Sequence, residues 1–335
     1  MFSLLKKLCL LDGTSGDEGT IRDFIIGEIK DFCEYKTDNL GNIIAFKKGK
    51  NTPDRKIMLD AHMDEVGLII TSVTGDGFLK FTTVGGIDPA VMISRKVKIN
   101  GNINGVIGIK PVHLCHGEEG KKLPKTDALY IDIGAKNKED ALSRVSLGDT
   151  AVMCSDYVVA GDKILSKALD DRIGCAILIS LLKEEAEYDF YATFSVQEEV
   201  GLRGAAVAAY GVNPDFAIIL EGTTAADIAD VPEEKQVCEL GKGAAVSFMD
   251  RSTLYDRGLY DAAINSGIPC QSKRFVSGGN NAGAISLSRE GVRTVSVSVP
   301  CRYIHSASSV ANSRDITSAY KLAKYLLSGI AKKEI

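Results

Sequence analysis

Five short stretches hold the residues able to do chemistry. KIMLDAHMDEVGLII (56–70) sets Asp60, His62, Asp64 and Glu65 into an apolar run. SKALDDRIG carries adjacent Asp170 and Asp171, SVQEEVGLRG carries Glu198 and Glu199, AIILEGTT carries Glu221, and SVPCRYIHSAS carries His305. An unpaired ion taken into a core costs on the order of several kcal/mol, so charges written into apolar runs need compensation. Side chains alternate faces along a strand, which puts Asp60, His62 and Asp64 on one side. Two imidazoles and several carboxylates, with no thiolate in a comparable motif, suit Zn²⁺, Mn²⁺ or Co²⁺ better than a soft metal or an iron–sulfur cluster. His62, Asp170, Glu198, Glu199, Glu221 and His305 are too many for one open tetrahedral centre. Two ions about 3.5–4 Å apart, bridged by a carboxylate and holding a water, would use them all.

Each signal also has a plainer reading. A histidine on a strand is more often a hydrogen-bonded core residue than a ligand, Asp170 and Asp171 could simply cap a helix start, and Glu-Glu pairs are common on surfaces. What joins them is position. YATFSVQ, FAIILEG and VRTVSVSVP read as buried strands, and in open α/β sheets sites lie beyond the carboxyl ends of strands, where Glu198, Glu199 and Glu221 fall. Glu198 and Glu199 can enter one site only if the chain turns there, and VGLRG offers glycines for the turn.

Residues 1 to about 66 and from about 160 onward alternate helical and strand patterns, with helices expected over 170–186, 254–266 and 315–332. The fold class expected is α/β, its sheet flanked by helices. Residues 67–159 differ, with short β-type runs (GLIITSV, FLKFTTV, KVKING, NGVIGI, DALYIDIGA, GDTAVMCS) separated by turn signals. An inserted, smaller β-rich domain is expected there, with 1–66 and 160–335 forming the catalytic domain. Residues 108–125 read as a long loop, so His113 and His116, flanking Cys115, are a loop pair that no strand or helix fixes.

The chain has 335 residues, 45% hydrophobic, with a formal net charge of -4. Such mild charge points to no nucleic acid partner and to no membrane-attracting face. Eight cysteines without a CxxC pair suit a reduced, cytoplasmic protein. The opening MFSLLKKLCLLDG is a poor signal peptide, because Lys6 and Lys7 interrupt it; apolar positions 4, 5, 8 and 11 suit an amphipathic helix. No stretch reaches the roughly 18 apolar residues of a membrane span.

DGTSGDEGTIRDF, DAHMDEVG, SKALDDRIG, SVQEEVGLRGA, GGNNAGAI and SVPCRYIHS, in this order, resemble the dinuclear metallo-aminopeptidase family of glutamyl aminopeptidase and the tetrahedral (TET) peptidases. The resemblance spans nearly the whole chain. It implies a central mixed sheet of the zinc-exopeptidase kind and two divalent metal ions per subunit, Zn²⁺ foremost, with Co²⁺ or Mn²⁺ as alternatives. His62 and Glu221 match the ligands of one ion, Glu199 and His305 those of the other, and Asp170 the bridging carboxylate. Glu198 matches the general base acting on a metal-bridged water, and Asp64 the carboxylate that orients His62, as physics also expects of a same-face neighbour. The implied substrates are peptides with a free N-terminus. The implied partners are copies of the chain itself, dimers formed through the β-rich domain and built into a hollow tetrahedral dodecamer.

Two positions depart from the family pattern. Glu221 stands where many members have Asp, and Asn281 where members usually have an Asp, so that a substrate-facing carboxylate becomes an amide. Arg251 in MDRSTL reads either as the wall of a specificity pocket or as a structural ion pair. Some relatives carry endoglucanase labels, and a glycosidase would also use paired carboxylates. That chemistry needs no ligand histidines, however, and the chain has no tryptophan for stacking sugars. A third reading is a metal-binding pseudoenzyme, against which Glu198 argues.

Overall fold

The structure, a computed structural model, describes residues 1–115 and 123–335. Helices α1 (Phe2–Leu10) and α2 (Gly19–Ile29) lead into strands β1 (Glu34–Thr37), β2 (Ile43–Lys47) and β3 (Ile57–His62). Then come β4 (Gly67–Val73), β5 (Leu79–Val84), α3 (Pro89–Met92), β6 (Lys96–Ile99), β7 (Ile103–Gly108), β8 (Tyr130–Asp132), α4 (Lys138–Leu142) and β9 (Thr150–Met153). The chain continues through β10 (Val158–Ala160), β11 (Lys163–Ser166), α5 (Leu169–Lys183), β12 (Phe190–Ser195), α6 (Arg203–Val212), β13 (Phe216–Thr224), β14 (Ala244–Val246) and α7 (Arg257–Ile264). It ends with β15 (Cys270–Ser272), α8 (Ala282–Ile285), β16 (Arg293–Arg302), β17 (Ser309–Asn312) and α9 (Ser313–Ala331).

The main body is an eleven-stranded mixed sheet in the order β1-β2-β12-β3-β13-β16-β17-β11-β10, with β14 and β15 branching from β16. Its middle strands β12, β3, β13 and β16 run parallel, so their carboxyl ends emerge together. All six residues of β3 are buried, as expected of a parallel strand covered on both faces. Helices α1, α2, α5 and α9 pack their apolar residues against the sheet in the largest core cluster, which joins Leu8, Ile25, Leu59, Ile177, Val297 and Leu322.

Strands β4 to β9 close into a separate barrel in the order β4-β5-β8-β7-β6-β9. Leu68, Ile70, Phe81, Val97, Ile107 and Ile131 fill it as a second core. Closure leaves the barrel no free edge, which a small antiparallel sheet would otherwise have to protect.

The stretch 56–70 is not one strand. It breaks after His62, and β4 belongs to the barrel rather than to the main sheet. Asp64 and Glu65 occupy the crossing between the two sheets. His305 is likewise not on a strand; it lies in the turn between β16 and β17, with φ 58°.

Candidate metal and catalytic site

Five elements deliver the ionisable groups to one place, the fifth being the turn between β16 and β17 that carries His305. His62 is the last residue of β3, Asp170 lies in the first turn of α5 next to a cis peptide bond to Asp171, Glu198 and Glu199 follow β12, and Glu221 projects from β13. The turn after β12 starts at Gln197, whose φ of 55° is left-handed, so the change of direction comes before the acidic pair and before the glycines that follow it. Glu221 does not end its strand, since β13 runs on to Thr224.

Asp170 stands between two groups. Its Oδ1 is 3.4 Å from His62 Nε2, which is also 3.1 Å from Glu221 Oε1. Its Oδ2 is 3.5 Å from His305 Nε2, which is also 3.1 Å from Glu199 Oε1. Candidate ligand atoms of His62, Asp170 and Glu199, and likewise of Asp170, Asp171 and Glu221, lie within 4.8 Å of one another. Both imidazoles are aimed by their other nitrogen: His305 Nδ1 donates to the Gly86 carbonyl at 2.9 Å, and His62 Nδ1 faces the Asp64 carbonyl at 3.1 Å. Ring orientation of this kind leaves Nε2 available as a ligand atom. Among the described residues, buried Glu221 Oε2 has no hydrogen-bond donor, and Glu199 Oε1 has the His305 ring beside it at 3.1 Å. A buried acceptor without a donor is costly unless something compensates it, and with their neutral-to-anionic N/O donor set the residues fit divalent cations.

Glu198 is the exception within the cluster. It is buried, and the histidine nitrogen it approaches, His62 Nε2, stands 4.0 Å from its Oε2. Burial, opposed by His62 and reinforced by the neighbouring carboxylates, lifts its carboxyl to about 8. Burial also works against charged imidazoles, yet Asp170 and Glu199 raise His305 to about 11, and Glu221 and Asp170 carry His62 well above its ordinary value.

Behind the site lies a layer that sequence reasoning largely missed. The Asp64 carboxylate accepts from the Glu198 N–H (3.0 Å, Oδ1), the Glu199 N–H (3.2 Å, Oδ2) and the Ser15 hydroxyl (2.6 Å). It also lies 3.4 Å from His62 Nδ1. Burial opposes its charge, but His62 and these donors outweigh that and hold its pKa below the usual range. Glu18 Oε1 accepts from the Gln197 N–H at 3.1 Å and the Gly16 N–H at 2.8 Å. Ser15 and Glu18 come from DGTSGDEG, and their only trace in the sequence was a place in that motif. Asp60 is compensated chiefly within the scaffold: Thr193, Ser195 and Asn281 donate to its carboxylate, and His62 adds a smaller attraction.

Asn281 therefore does not face substrate. It is fully buried, and its Nδ2 donates to Asp60 and to Ser195, each at 2.8 Å. Asp171 accepts from the Gly174 N–H, and buried Arg172 donates to the Leu8 carbonyl, pinning α5 against α1. Arg251 is exposed in a surface cavity with Met249, Leu254 and Leu287, away from the acidic cluster and in no ion pair among the described residues. His113 sits in a short 3-10 turn (Val112–Leu114), and His116 lies outside the described residues. A cavity of about 350 Å³ opens over the cluster, lined by Asp170, Glu198, Glu199, Glu221, His305 and, from the far side of the sequence, Lys273.

The profile of the M42 glutamyl aminopeptidases matches residues 41–322. An Acetivibrio thermocellus protein provisionally named an aminopeptidase is 41% identical over 329 residues, covering 96% of this chain and 97% of its own. The lysyl aminopeptidase of Pyrococcus furiosus is 35% identical over 341 residues, covering 97% and 96%. Among solved structures, the Pyrococcus horikoshii TET1 peptidase, described as assembling into a tetrahedron or a large octahedral shell, superposes with a TM-score of 0.85 at 35% identity, covering 97% of this chain and 98% of that one.

Proposed function

Since this chain belongs to the M42 glutamyl aminopeptidase family, we propose that it is a dinuclear metallo-aminopeptidase that removes residues from free peptide N-termini. The observation that carries this reading is Asp170, one carboxylate oxygen turned to His62 and the other to His305, as a group serving two cations must be. His62 and Glu221 would hold one cation with Asp170, and Glu199 and His305 the other. Zn²⁺ suits the donor set best, with Co²⁺ or Mn²⁺ as substitutes. When bound, the cations supply Lewis-acid polarisation of the scissile carbonyl and acidify the attacking water.

The chain's own residues do the rest. Glu198, ligated to nothing, takes the proton of the water and returns it to the leaving amine. Asp64 holds His62 in orientation and holds the N–H groups of Glu198 and Glu199, so the base and two ligands share a single anchor. The dense carboxylate cluster favours a cationic α-ammonium over a blocked N-terminus, which fits an exopeptidase.

Residues 1–66 and 160–335 form the catalytic domain in this reading, and 67–159 the dimerisation domain, with dimers as the unit of any larger shell. Eight free cysteines support a reducing, cytoplasmic setting. A glycosidase remains disfavoured because its chemistry leaves His62 and His305 without a task. The pseudoenzyme reading loses its motive with Asn281 turned away from the cavity.

The decisive experiment strips the protein of metal, restores Zn²⁺, Co²⁺ or Mn²⁺, and assays aminoacyl-nitroanilides, free peptides and N-acetylated peptides. Metal-restored cleavage of free but not acetylated peptides is expected, and elemental analysis should find at least one ion lost from His62→Ala or His305→Ala. Cleavage of blocked peptides or of a β-glucan, or full metal content in both variants, would overturn the proposal.

A further inference from the structure

Family membership leaves open which residue is removed, because the family is named for glutamyl substrates while the Pyrococcus furiosus relative is named for lysyl ones. The cavity over the acidic cluster carries a feature that separates the two. Lys273, just after β15, lines that cavity together with Glu198, Glu221 and His305 and is only 7% exposed. Its Nζ donates to the Ser277 carbonyl at 3.2 Å and forms no ion pair among the described residues. An ammonium has three donors, and a buried cation left without an anion is costly.

Elsewhere this chain pairs its buried cations. Lys167 Nζ lies 2.5 Å from Glu65 Oε1, and Arg172 reaches the same carboxylate at 3.4 Å. Lys273 stands apart from this pattern, and it does so in the wall of the substrate cavity. Burial lowers its pKa, opposed by the charges of Asp250, Cys238, Glu221 and Asp170.

We propose that Lys273 is a specificity-determining residue that receives the side-chain carboxylate of an N-terminal Glu or Asp in the cavity beside Glu221 and His305. The assignment rests on the aminopeptidase reading and deepens it. A lysyl substrate would place two ammonium groups together in a desolvated pocket, so basic N-termini are rejected. The competing role for Lys273 is general charge balance near Asp170 and Glu221, which would touch every substrate alike.

The test compares glutamyl-, aspartyl-, leucyl- and lysyl-p-nitroanilide on the metal-loaded full chain, with calorimetric titration of L-glutamate and L-leucine beside it. Nitroanilides have no C-terminal carboxylate, so a preference among them belongs to the N-terminal side chain. Acidic substrates are expected to exceed leucyl by about tenfold or more in kcat/KM, the scale of one charge-assisted hydrogen bond. Lys273→Met should lower acidic turnover by about tenfold to a hundredfold and leave leucyl turnover within about threefold, with L-glutamate binding weakened in parallel. Lys273→Arg should keep part of the preference, and a thermal melt confirms that each variant is folded. Preference for leucyl or lysyl substrates by the wild type, or an equal loss on all substrates in Lys273→Met, overturns the proposal. If no nitroanilide is turned over, the aminopeptidase reading fails, and the calorimetry still decides on Lys273: L-glutamate binding no tighter than L-leucine refutes it.

Discussion

Glu198 and Glu199 are adjacent and chemically identical, yet their surroundings assign them different work. Glu199 meets His305 Nε2 at 3.1 Å, whereas Glu198 comes no nearer than 4.0 Å to His62 Nε2. Glu198→Gln should therefore reduce turnover by about 10²–10⁴ while two ions stay bound. Metal loss in proportion to activity would show that the pair has been assigned backwards. The imidazoles make a second prediction. Ligation needs neutral imidazole, but in the metal-free protein Asp170 and Glu199 raise His305 to about 11, and His62 also lies well above its ordinary value. At neutral pH both hold protons that an incoming cation must displace. Apparent metal affinity should thus rise with pH, by about tenfold per unit for each proton released. Calorimetry in buffers of different ionisation enthalpy counts those protons, and a count of zero would mean that these histidines are not ligands.

The turn after β12 is an element held by others. Three successive N–H groups, those of Gln197, Glu198 and Glu199, donate to two buried carboxylates, Glu18 and Asp64. Glu18→Ala removes the first of these anchors and should lower kcat by about tenfold, the worth of one charge-assisted bond, with KM, metal content and melting temperature little changed. Glu18→Gln keeps an acceptor oxygen and should restore most of the loss; failure of that rescue would give Glu18 some other task. Apart from Asp64, this layer was not legible beforehand, because a bond such as that from the Gln197 N–H to Glu18 joins residues 179 positions apart and leaves no local pattern. Periodicity did reveal what is local. The helix expected over 170–186 is α5 (Leu169–Lys183), and the six β-type runs between 67 and 159 each became a barrel strand. The break between β3 and β4 was hidden because Met63 and Val66 continue the apolar run across it, so hydrophobicity could not mark where one sheet yields to the next. His305 was misplaced on a strand for a related reason: the ten residues of β16 end only three positions before it.

At the scale of the whole molecule the barrel is more than an appendage, since its Gly86 carbonyl aims His305. Thr150 of β9 donates to Asp17, and Lys98 of β6 lies 3.2 Å from Asp12, which ties the barrel to the segment that carries Ser15 and Glu18. Deleting residues 67–159 would therefore disturb His305, a ligand in the proposed site, as well as any assembly, and it could not separate the two. Surface substitution can. Val106 on β7 and Leu147 before β9, 45% and 60% exposed, are apolar residues on the barrel's outside, each a candidate contact point. If this domain mediates dimerisation, Val106→Glu with Leu147→Lys should shift the chain to a smaller species in light scattering. Neither residue touches the acidic cluster, so metal content should stay that of the wild type. The effect should strengthen on dilution, because the unassembled state is favoured by mass action as concentration falls. An unchanged particle mass in the folded double variant would move the assembly contacts away from these two positions.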